Sequence, residues 1–279
     1  MTVLAGRGDV PVVECMGVPI TAHTPETAAR HVIQLALQHR VTRSSGPTTD
    51  APPGTDVHLC NAYTLALADR DPELHGILRR SGLNLPDGQP VVWANQLLHR
   101  RAQLPNTRTC GPELFLDVFA LGQVAGIRHY LLGSTPHVLD ALQRELRRRF
   151  PQALIVGAHS PPFRPLSVRE RHDQDRDILA SGADIVWVGL GTPKQDVHAT
   201  ALASGLPVVC AAVGAAFDFV AGHKRRAPRW MRSSGLEWIF RLFCEPRRLW
   251  RRYLFGNARF LWGVARQTAR DAVQGAFAY

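Results

Sequence analysis

The feature that most limits the fold is an alternation of short apolar runs with helical patterns that begins at Val57. Runs this rich in apolar residues are typical of strands in a parallel sheet that is covered on both faces. Between them lie amphipathic patterns, such as the one after Pro136, which places Val138, Leu142 and Leu146 on one helical face. The alternation predicts an α/β fold: a Rossmann-like, open, mostly parallel sheet with helices on both faces. The runs are VHLC (57–60), HYLL (129–132), LIVG (154–157), IVWV (185–188) and VVCAAV (208–213).

The segments outside this alternation have different compositions. Thr24-Pro25-Glu26 combines a hydroxyl N-cap, a proline and a first-turn acid, and it predicts a helix that runs to about His39. Residues 41–56 are rich in Ser, Thr, Pro and Gly, and we expect them to form a mobile loop. The alternation stops near Ala221, which predicts a core over residues 1–221 and a basic, helical appendage over residues 222–279.

The positive charge of the chain is concentrated in this appendage. The 279 residues have a formal net charge of +10, and thirteen Lys and Arg lie between His223 and Arg270 against two acids, Glu237 and Glu245. Four of the six tryptophans are interleaved with these arginines. Such a helix suits a membrane surface, an anionic ligand or nucleic acid. A helix that packs its aromatic residues on the core and leaves its arginines in water would have the same composition.

Several classes of protein are excluded by the cysteine and hydropathy patterns. The five cysteines are widely spaced and form no C-x-x-C pair, which favours a reducing compartment over a disulfide framework or a structural zinc site. No apolar run is long enough to span a bilayer, and we expect no signal peptide. The histidines form no H-E-x-x-H motif, and we expect no bound metal. These patterns predict a cytoplasmic protein.

Glycine and polar residues follow the expected strands, at the edge of the sheet where ligands bind. Backbone N–H groups of such turns can hold a phosphate at the start of the next helix, although each turn alone also fits an ordinary strand-to-helix connection. Several of them at one edge favour a cleft for an anionic ligand. The candidate residues are Asn61, Gly133, Ser134, Gly191, Thr192 and Gln195.

Asp87 is the candidate catalytic residue. It lies between Pro86 and Gly88 at the end of an expected strand, where a rigidly held carboxylate could act as a general base. The same residue fits a turn aspartate that accepts hydrogen bonds from its own backbone. The residues alone leave both interpretations open.

Seven motifs, in order, give residues 56–261 a resemblance to the WecG/TagA/CpsF family of bacterial glycosyltransferases. The number and order of the motifs make chance agreement improbable, and the last two are the most specific. They are LCNAYTLALA (59–68), LPDGQPVVWA (85–94), RTCGPEL (108–114), YLLGSTP (130–136), VGLGTPKQD (188–196), VGAAFDFVAGHKRRAPRWM (213–231) and LEWIFRLFCEPRRLWRRYLFGN (236–257).

The resemblance implies a metal-independent, inverting transferase that needs no cofactor. The donor would be a UDP-sugar carrying N-acetylmannosamine or a related hexose, and the acceptor a sugar on a polyprenyl diphosphate, in polysaccharide or teichoic-acid-type biosynthesis. The enzyme would be peripheral on the anionic inner face of the cell membrane. It could form a homo-oligomer, and it would have no nucleic-acid partner. Leu59 departs from the family pattern, which often has threonine there.

The resemblance also assigns roles by position. Asp87 matches the proposed general base for the acceptor hydroxyl, while Asn61, Arg108 and Gln195 match polar residues of the cleft. Three arginines match basic residues of an appendage that completes the site, and in one helix over residues 236–255 their spacings of seven and three would put them on one face. They are Arg241, Arg248 and Arg251. Pro246 is expected to divide this stretch, because the residue before a proline avoids helical geometry.

Two alternative functions stay open. An NAD-dependent oxidoreductase or sugar epimerase would suit a Rossmann-like sheet, but Gly189-x-Gly191 lacks the third glycine of the dinucleotide fingerprint. A nucleic-acid-binding module would suit the isoelectric point of about 10.2 and the mixture of basic and aromatic residues. Titration with NAD would identify the first, and salt-sensitive oligonucleotide binding stronger than liposome binding would favour the second.

Overall fold

The structure, a computed structural model, describes residues 10–44 and 53–276, without the side chains of residues 229, 233, 248, 275 and 276. It has a six-stranded parallel sheet and a separate antiparallel pair, which confirms the α/β fold expected from the sequence. The strands are β1 (Val12–Cys15), β2 (Val18–Thr21), β3 (Thr55–Cys60), β4 (Leu83–Pro86), β5 (Arg128–Gly133), β6 (Leu154–His159), β7 (Ile185–Gly189) and β8 (Val209–Ala212).

The order of the strands in the large sheet is β4-β3-β8-β7-β5-β6, and its pairings are all parallel. The chain passes from β3 to β4 on one side and places the four later strands on the other side. Such a change of direction creates a crevice outside the carboxyl ends of the strands. The strand order therefore places the carboxyl ends of β3 and β8 next to this crevice.

Helices cover both faces of the sheet. On β7, Ile185 and Trp187 belong to one buried apolar cluster, whereas Val186 and Val188 belong to another, because successive side chains of a strand point to opposite faces. The helices are α1 (Pro25–Ser44), α2 (Ala62–Ala68), α3 (Pro72–Arg80), α4 (Gln89–Leu98), α5 (Gly111–Gly122), α6 (Pro136–Arg149), α7 (Val168–Ser181), α8 (Lys194–Gly205), α9 (Ala216–Val220), α10 (Arg229–Ser233), α11 (Glu237–Cys244) and α12 (Pro246–Ala276).

The segment 41–56, expected to be a loop, is partly regular. Residues 41–44 belong to α1 and residues 55–56 begin β3, while residues 45–52 lie outside the described part of the chain. The helix continues beyond His39 because Arg40 and Arg43 both pair with the buried carboxylate of Asp184, at 2.5 and 2.6 Å. This long-range ion-pair cluster stabilises the last turn of α1.

The C-terminal segment is helical, as expected, and α12 lies along α2 and α4. Phe260 and Val264 of α12 are buried in a third apolar cluster, which also contains residues of β1, β2, α2, α3 and α4. Arg259 and Arg266 both bind the Asp69 carboxylate at the end of α2, each at 2.7 Å. The appendage is thus packed on the core, and the division of the chain at residue 221 stays a prediction.

None of the helices described here combines the length and the hydropathy that a bilayer crossing requires. The five cysteines are free thiols, four of them buried and Cys244 exposed.

Candidate active site

A cleft opens at the carboxyl edge of the sheet, where β4, β3, β8 and β7 end side by side. Its inner wall consists of the turns that follow these strands, and its outer wall consists of α11 and α12. Seven of the residues expected from the sequence line it. They are Asn61, Asp87, Arg108, Gly191, Thr192, Gln195 and Arg241.

Gly133 and Ser134 do not line the cleft. They follow β5, which lies beyond β7 in the sheet. A Cβ atom at Gly133 would lie 2.6 Å from the carbonyl oxygen of Gly189, and the Ser134 N–H donates to that same oxygen at 3.2 Å. The absence of a side chain at Gly133 therefore allows the ends of β5 and β7 to approach closely. The packing of these neighbouring strands is enough to explain the glycine.

The shared arginine face expected over residues 236–255 does not form. The helix is interrupted at Glu245, where α11 has ended and α12 has yet to begin, so Arg241 and the later arginines belong to different helices. The exposed Arg251 places its guanidinium carbon 5.2 Å from the ring centre of Trp250, outside the cleft. The side chain of Arg248 lies outside the described part of the chain.

Asp87 is positioned by the strand end and by Asn61. The backbone N–H of Asp87 donates to the carbonyl oxygen of Cys60 at 2.9 Å, which continues the pairing of β4 with β3. The Asn61 side chain caps α2 by accepting from the Thr64 N–H at 3.1 Å, and its amide donates to Asp87 Oδ2 at 3.3 Å. No N–H of the Asp87 turn donates to this carboxylate in the described structure, which disfavours the turn-aspartate interpretation.

The surroundings of Asp87 raise its pKa. Burial is the main cause, and the negative charge of Glu237 acts in the same direction. The positive charges of Arg108 and Arg241 and the hydrogen bond from Asn61 oppose it without cancelling it. A carboxylate with a raised pKa is a stronger base than an ordinary one, while Asn61 occupies only one of its two oxygens.

Glu237 joins the two walls of the cleft. Its carboxylate accepts a hydrogen bond from Arg108 Nη2 at 2.5 Å, and both side chains are largely buried. Arg108 comes from the segment before α5, and Glu237 is the first residue of α11. In the sequence, Glu237 is only one of two acids among many cations, because nothing local signals its distant partner.

Gln195 stabilises the turn after β7. Its side-chain oxygen accepts from the Gly191 N–H at 3.0 Å, and its amide donates to Thr192 Oγ1 at 3.4 Å. Gly191 has a φ of +80°, which favours glycine there. The side chain of Gln195 therefore shapes the wall of the cleft next to Gly214, where a Cβ atom would lie 3.6 Å from it.

The aromatic and basic residues of the cleft that were not expected from the sequence include four that contact each other in pairs. Arg252 places its guanidinium carbon 4.1 Å from the ring centre of Tyr63, and Trp238 packs against Tyr253 with ring centres 5.8 Å apart. Three of the four come from α11 and α12, so only the packing of these helices on the core brings them to the strand ends. In the sequence, the high aromatic content of residues 236–257 was the signal that pointed to a contact of this segment with the core.

Below the cleft, a buried histidine links the sheet to α8. His58 contacts Asp196 through Nδ1 and Asp56 through Nε2, both at 3.0 Å. Burial by itself lowers the pKa of His58, but these hydrogen bonds and charges outweigh burial and raise the pKa to about 9. Asp196 directly follows Gln195, so this cluster also fixes the start of α8. Over the described ranges, no group of three or more acidic, cysteine or histidine side chains could hold a metal ion.

Together, an open parallel sheet, a carboxylate at a strand end and cationic helices over the cleft are the features of an α/β enzyme whose site lies at the carboxyl edge of the sheet. The sequence profile of the glycosyl transferase WecG/TagA/CpsF family matches residues 13–274. The chain therefore belongs to this family of glycosyltransferases, which confirms the resemblance. The match also begins earlier and ends later than the motifs, so it includes β2, all but the first residue of β1 and most of α12.

Proposed function

We propose that the protein transfers a sugar from a UDP-sugar to a sugar hydroxyl of a polyprenyl-diphosphate-linked acceptor, with inversion and without a metal. The product would serve cell-surface polysaccharide or teichoic-acid-type biosynthesis. The observation that carries this proposal is that Asp87, a carboxylate with a raised pKa, lines the same cleft as Arg108 and Arg241. Family membership supports a transferase over the oxidoreductase and nucleic-acid alternatives.

In this reaction Asp87 takes the proton of the acceptor hydroxyl as its oxygen forms a bond to the anomeric carbon. The bond from that carbon to the diphosphate breaks on the opposite face, and UDP leaves with the electron pair. Asn61 orients the carboxylate through Oδ2 and leaves Oδ1 free for the proton. The charge on the leaving diphosphate is stabilised by Arg241, which has no carboxylate partner in the described chain, and by Arg108.

The surface of the appendage supports a membrane location. Large apolar side chains of α11 and α12 are exposed, among them Phe243 at 81% and Trp262 at 68% of the maximum area. Leu254 and Phe255 are also exposed, close to the exposed Arg251. Aromatic and arginine side chains together favour the interface of an anionic bilayer. A lipid-linked acceptor would reach the cleft from this side.

The donor is proposed to carry N-acetylmannosamine or a related hexose. Leu59, at the family position that is often threonine, lines the cleft at the end of β3. A leucine there replaces a hydroxyl with an apolar surface. This replacement favours a donor sugar whose facing group is less polar than the one that threonine would contact.

The substitution Asp87→Asn tests the mechanism. General-base catalysis contributes about 10²- to 10⁴-fold, so we expect transfer to fall at least 100-fold while the affinity for UDP changes little. Asp140→Asn, a change of the same chemistry on the exposed face of α6, should leave transfer unchanged. Turnover near the wild-type rate in Asp87→Asn would remove Asp87 from the role of base.

The donor is identified by a screen of UDP-sugars with a short-chain polyprenyl-diphosphate sugar acceptor and EDTA throughout. We expect UDP release with one donor, and NMR of the product to show inversion at the anomeric carbon. Activity that appears only after a divalent metal is added would contradict the role given to the arginines.

A further inference from the structure

Arg252 is in an environment that the rest of the chain does not explain. It lines the cleft from α12, and its guanidinium carbon lies 4.1 Å from the ring centre of Tyr63 on α2. Its Nε atom is shielded from solvent and has no hydrogen-bond partner. In the described part of the chain, no carboxylate pairs with this side chain.

Two other largely buried arginines, Arg108 and Arg43, have acidic partners. Arg108 pairs with Glu237 at 2.5 Å, and Arg43 pairs with Asp184 at 2.6 Å. Desolvation of a cation is unfavourable unless an anion compensates it, and in these places the chain provides the anion. Burial is the main cause that lowers the pKa of the Arg252 guanidinium, and the positive charge of Arg241 acts in the same direction. Tyr253, Tyr63 and the negative charge of Asp87 oppose this shift without cancelling it. The charge of Arg252 is therefore only partly compensated within the cleft, because no carboxylate lies within ion-pair distance of it in the described part of the chain.

The stacking on Tyr63 leaves the edge of the guanidinium available. A guanidinium over the face of an aromatic ring contacts the ring with its own flat face. The N–H groups of the guanidinium then point along its plane and can donate to other acceptors. Hydrogen bonds from a desolvated guanidinium to phosphate oxygens are strong and can be bidentate. A phosphate oxygen is the acceptor that fits both this charge and the proposed substrates.

We propose that Arg252, held by Tyr63, binds a diphosphate group at the α2–α12 wall of the cleft. The inference rests on the proposed function and adds a residue that neither the motif spacing nor the resemblance assigned. The diphosphate belongs either to the UDP-sugar or to the lipid-linked acceptor, which share this chemistry.

The neighbouring Arg251 does not share this position. Successive residues of an α-helix are rotated by about 100°, so adjacent side chains face different surroundings. Arg251 is exposed and stacks on Trp250, whereas Arg252 points between α12 and α2. The structure thus distinguishes two arginines that the sequence presents as equivalent.

Three substitutions test this assignment in the full-length protein. Arg252→Met keeps much of the side-chain volume and removes the charge, Arg252→Lys keeps the charge but loses the planar fork, and Arg270→Met is the control on an exposed part of α12. Calorimetry measures the affinities for UDP and inorganic pyrophosphate, steady-state kinetics measure KM for donor and acceptor, and thermal unfolding measures folding.

We expect Arg252→Met to weaken diphosphate binding at least ten-fold, with a melting temperature within a few degrees of the wild type. Arg252→Lys should recover part of this loss, and Arg270→Met should match the wild type. A weaker affinity for UDP together with a higher donor KM assigns Arg252 to the donor. A higher acceptor KM with unchanged affinity for UDP assigns it to the acceptor.

Wild-type affinities and both wild-type KM values in Arg252→Met would overturn the proposal and leave Arg252 a purely structural residue. If Arg252→Met does not fold, Arg252→Lys decides: unchanged binding and kinetics would overturn the proposal, and a loss of at least three-fold would support it. A wild-type protein that binds UDP but transfers no sugar would refute the proposed function, and the UDP and pyrophosphate titrations would still test Arg252.

Discussion

The two walls of the cleft are built in opposite ways. On the core side, the polar groups are held by near neighbours: Asn61 donates to Asp87, and the Gln195 side chain accepts from Gly191. On the appendage side, Arg241 and Arg252 contact aromatic rings and have no carboxylate partner among the described residues. The core thus presents a firmly held carboxylate, and the appendage presents arginines that no carboxylate pairs with in the described part of the chain. A site of this kind is complete only when the two regions pack together.

Deletion of residues 222–279 would separate the two walls and should have the largest effect. It removes Arg241, Glu237 and Arg252 from the cleft and uncovers the buried cluster that contains Phe260. We expect transfer and binding to anionic liposomes to be lost together, measured by UDP release and by co-sedimentation. A truncated protein with full turnover would show that the core is sufficient for transfer.

The packing of α12 on the core is tested by Phe260→Ala. Phe260 is buried, and removal of such a side chain costs about 3–5 kcal/mol of unfolding free energy. The adjacent Leu261 is 67% exposed, so Leu261→Ala is the matched control and should cost less than about 0.5 kcal/mol. Chemical denaturation measures both, and equal effects would mean that α12 is not anchored through Phe260.

The buried cluster around His58 predicts that the stability of the fold falls at alkaline pH. The folded-state pKa of His58 is about 9, above its ordinary value of 6.5, so protonated His58 stabilises the fold fully below about pH 6.5. This contribution, on the order of 3 kcal/mol from 1.36 kcal/mol per pKa unit, is lost as the pH rises through 9. His58→Asn should show a flatter decline in melting temperature between pH 6.5 and 10, and a decline parallel to that of the wild type would contradict the role of His58.

The coupling between the two walls is tested by Glu237→Gln, with the smallest expected effect. The negative charge of Glu237 raises the pKa of Asp87, so its removal should lower that pKa. The acid limb of the pH profile of kcat/KM would then shift to lower pH, by less than about one unit, because Asp87 loses its proton earlier. Glu113→Gln breaks another contact between core and appendage, to Arg226 and Arg232, and should not move this limb. Identical profiles for wild type and Glu237→Gln would show that the walls act independently.

Much of the core could be predicted from local patterns. The five apolar runs overlap β3 and β5 to β8, and the residues after β3, β4 and β7 line the cleft as expected. Gly133 and Ser134 were misplaced because the order of strands in a sheet depends on long-range pairing, which a single strand does not encode. The end of α1 was misplaced because Asp184, far along the chain, holds Arg40 and Arg43.

The appendage was predictable in composition but not in geometry. Its helical character, its aromatic surface and the break near Pro246 follow from the sequence. The spacing of Arg241, Arg248 and Arg251 pointed to a common face, but the break at Glu245 removes the single helix that this spacing requires. Glu237 and Arg252 went unnoticed because their significance depends on partners more than a hundred residues away, Arg108 and Tyr63.

The sequence by itself determined the class of fold, the family and the carboxylate at the end of a strand, because periodicity, turn residues and motif order are local properties of the chain. The tertiary structure alone decided which strand ends meet in one cleft and which arginines of the appendage face it. Strand order and the rotation of a helix about its axis depend on the packing of distant segments. For this protein, that packing selects Arg252 and excludes its neighbour Arg251.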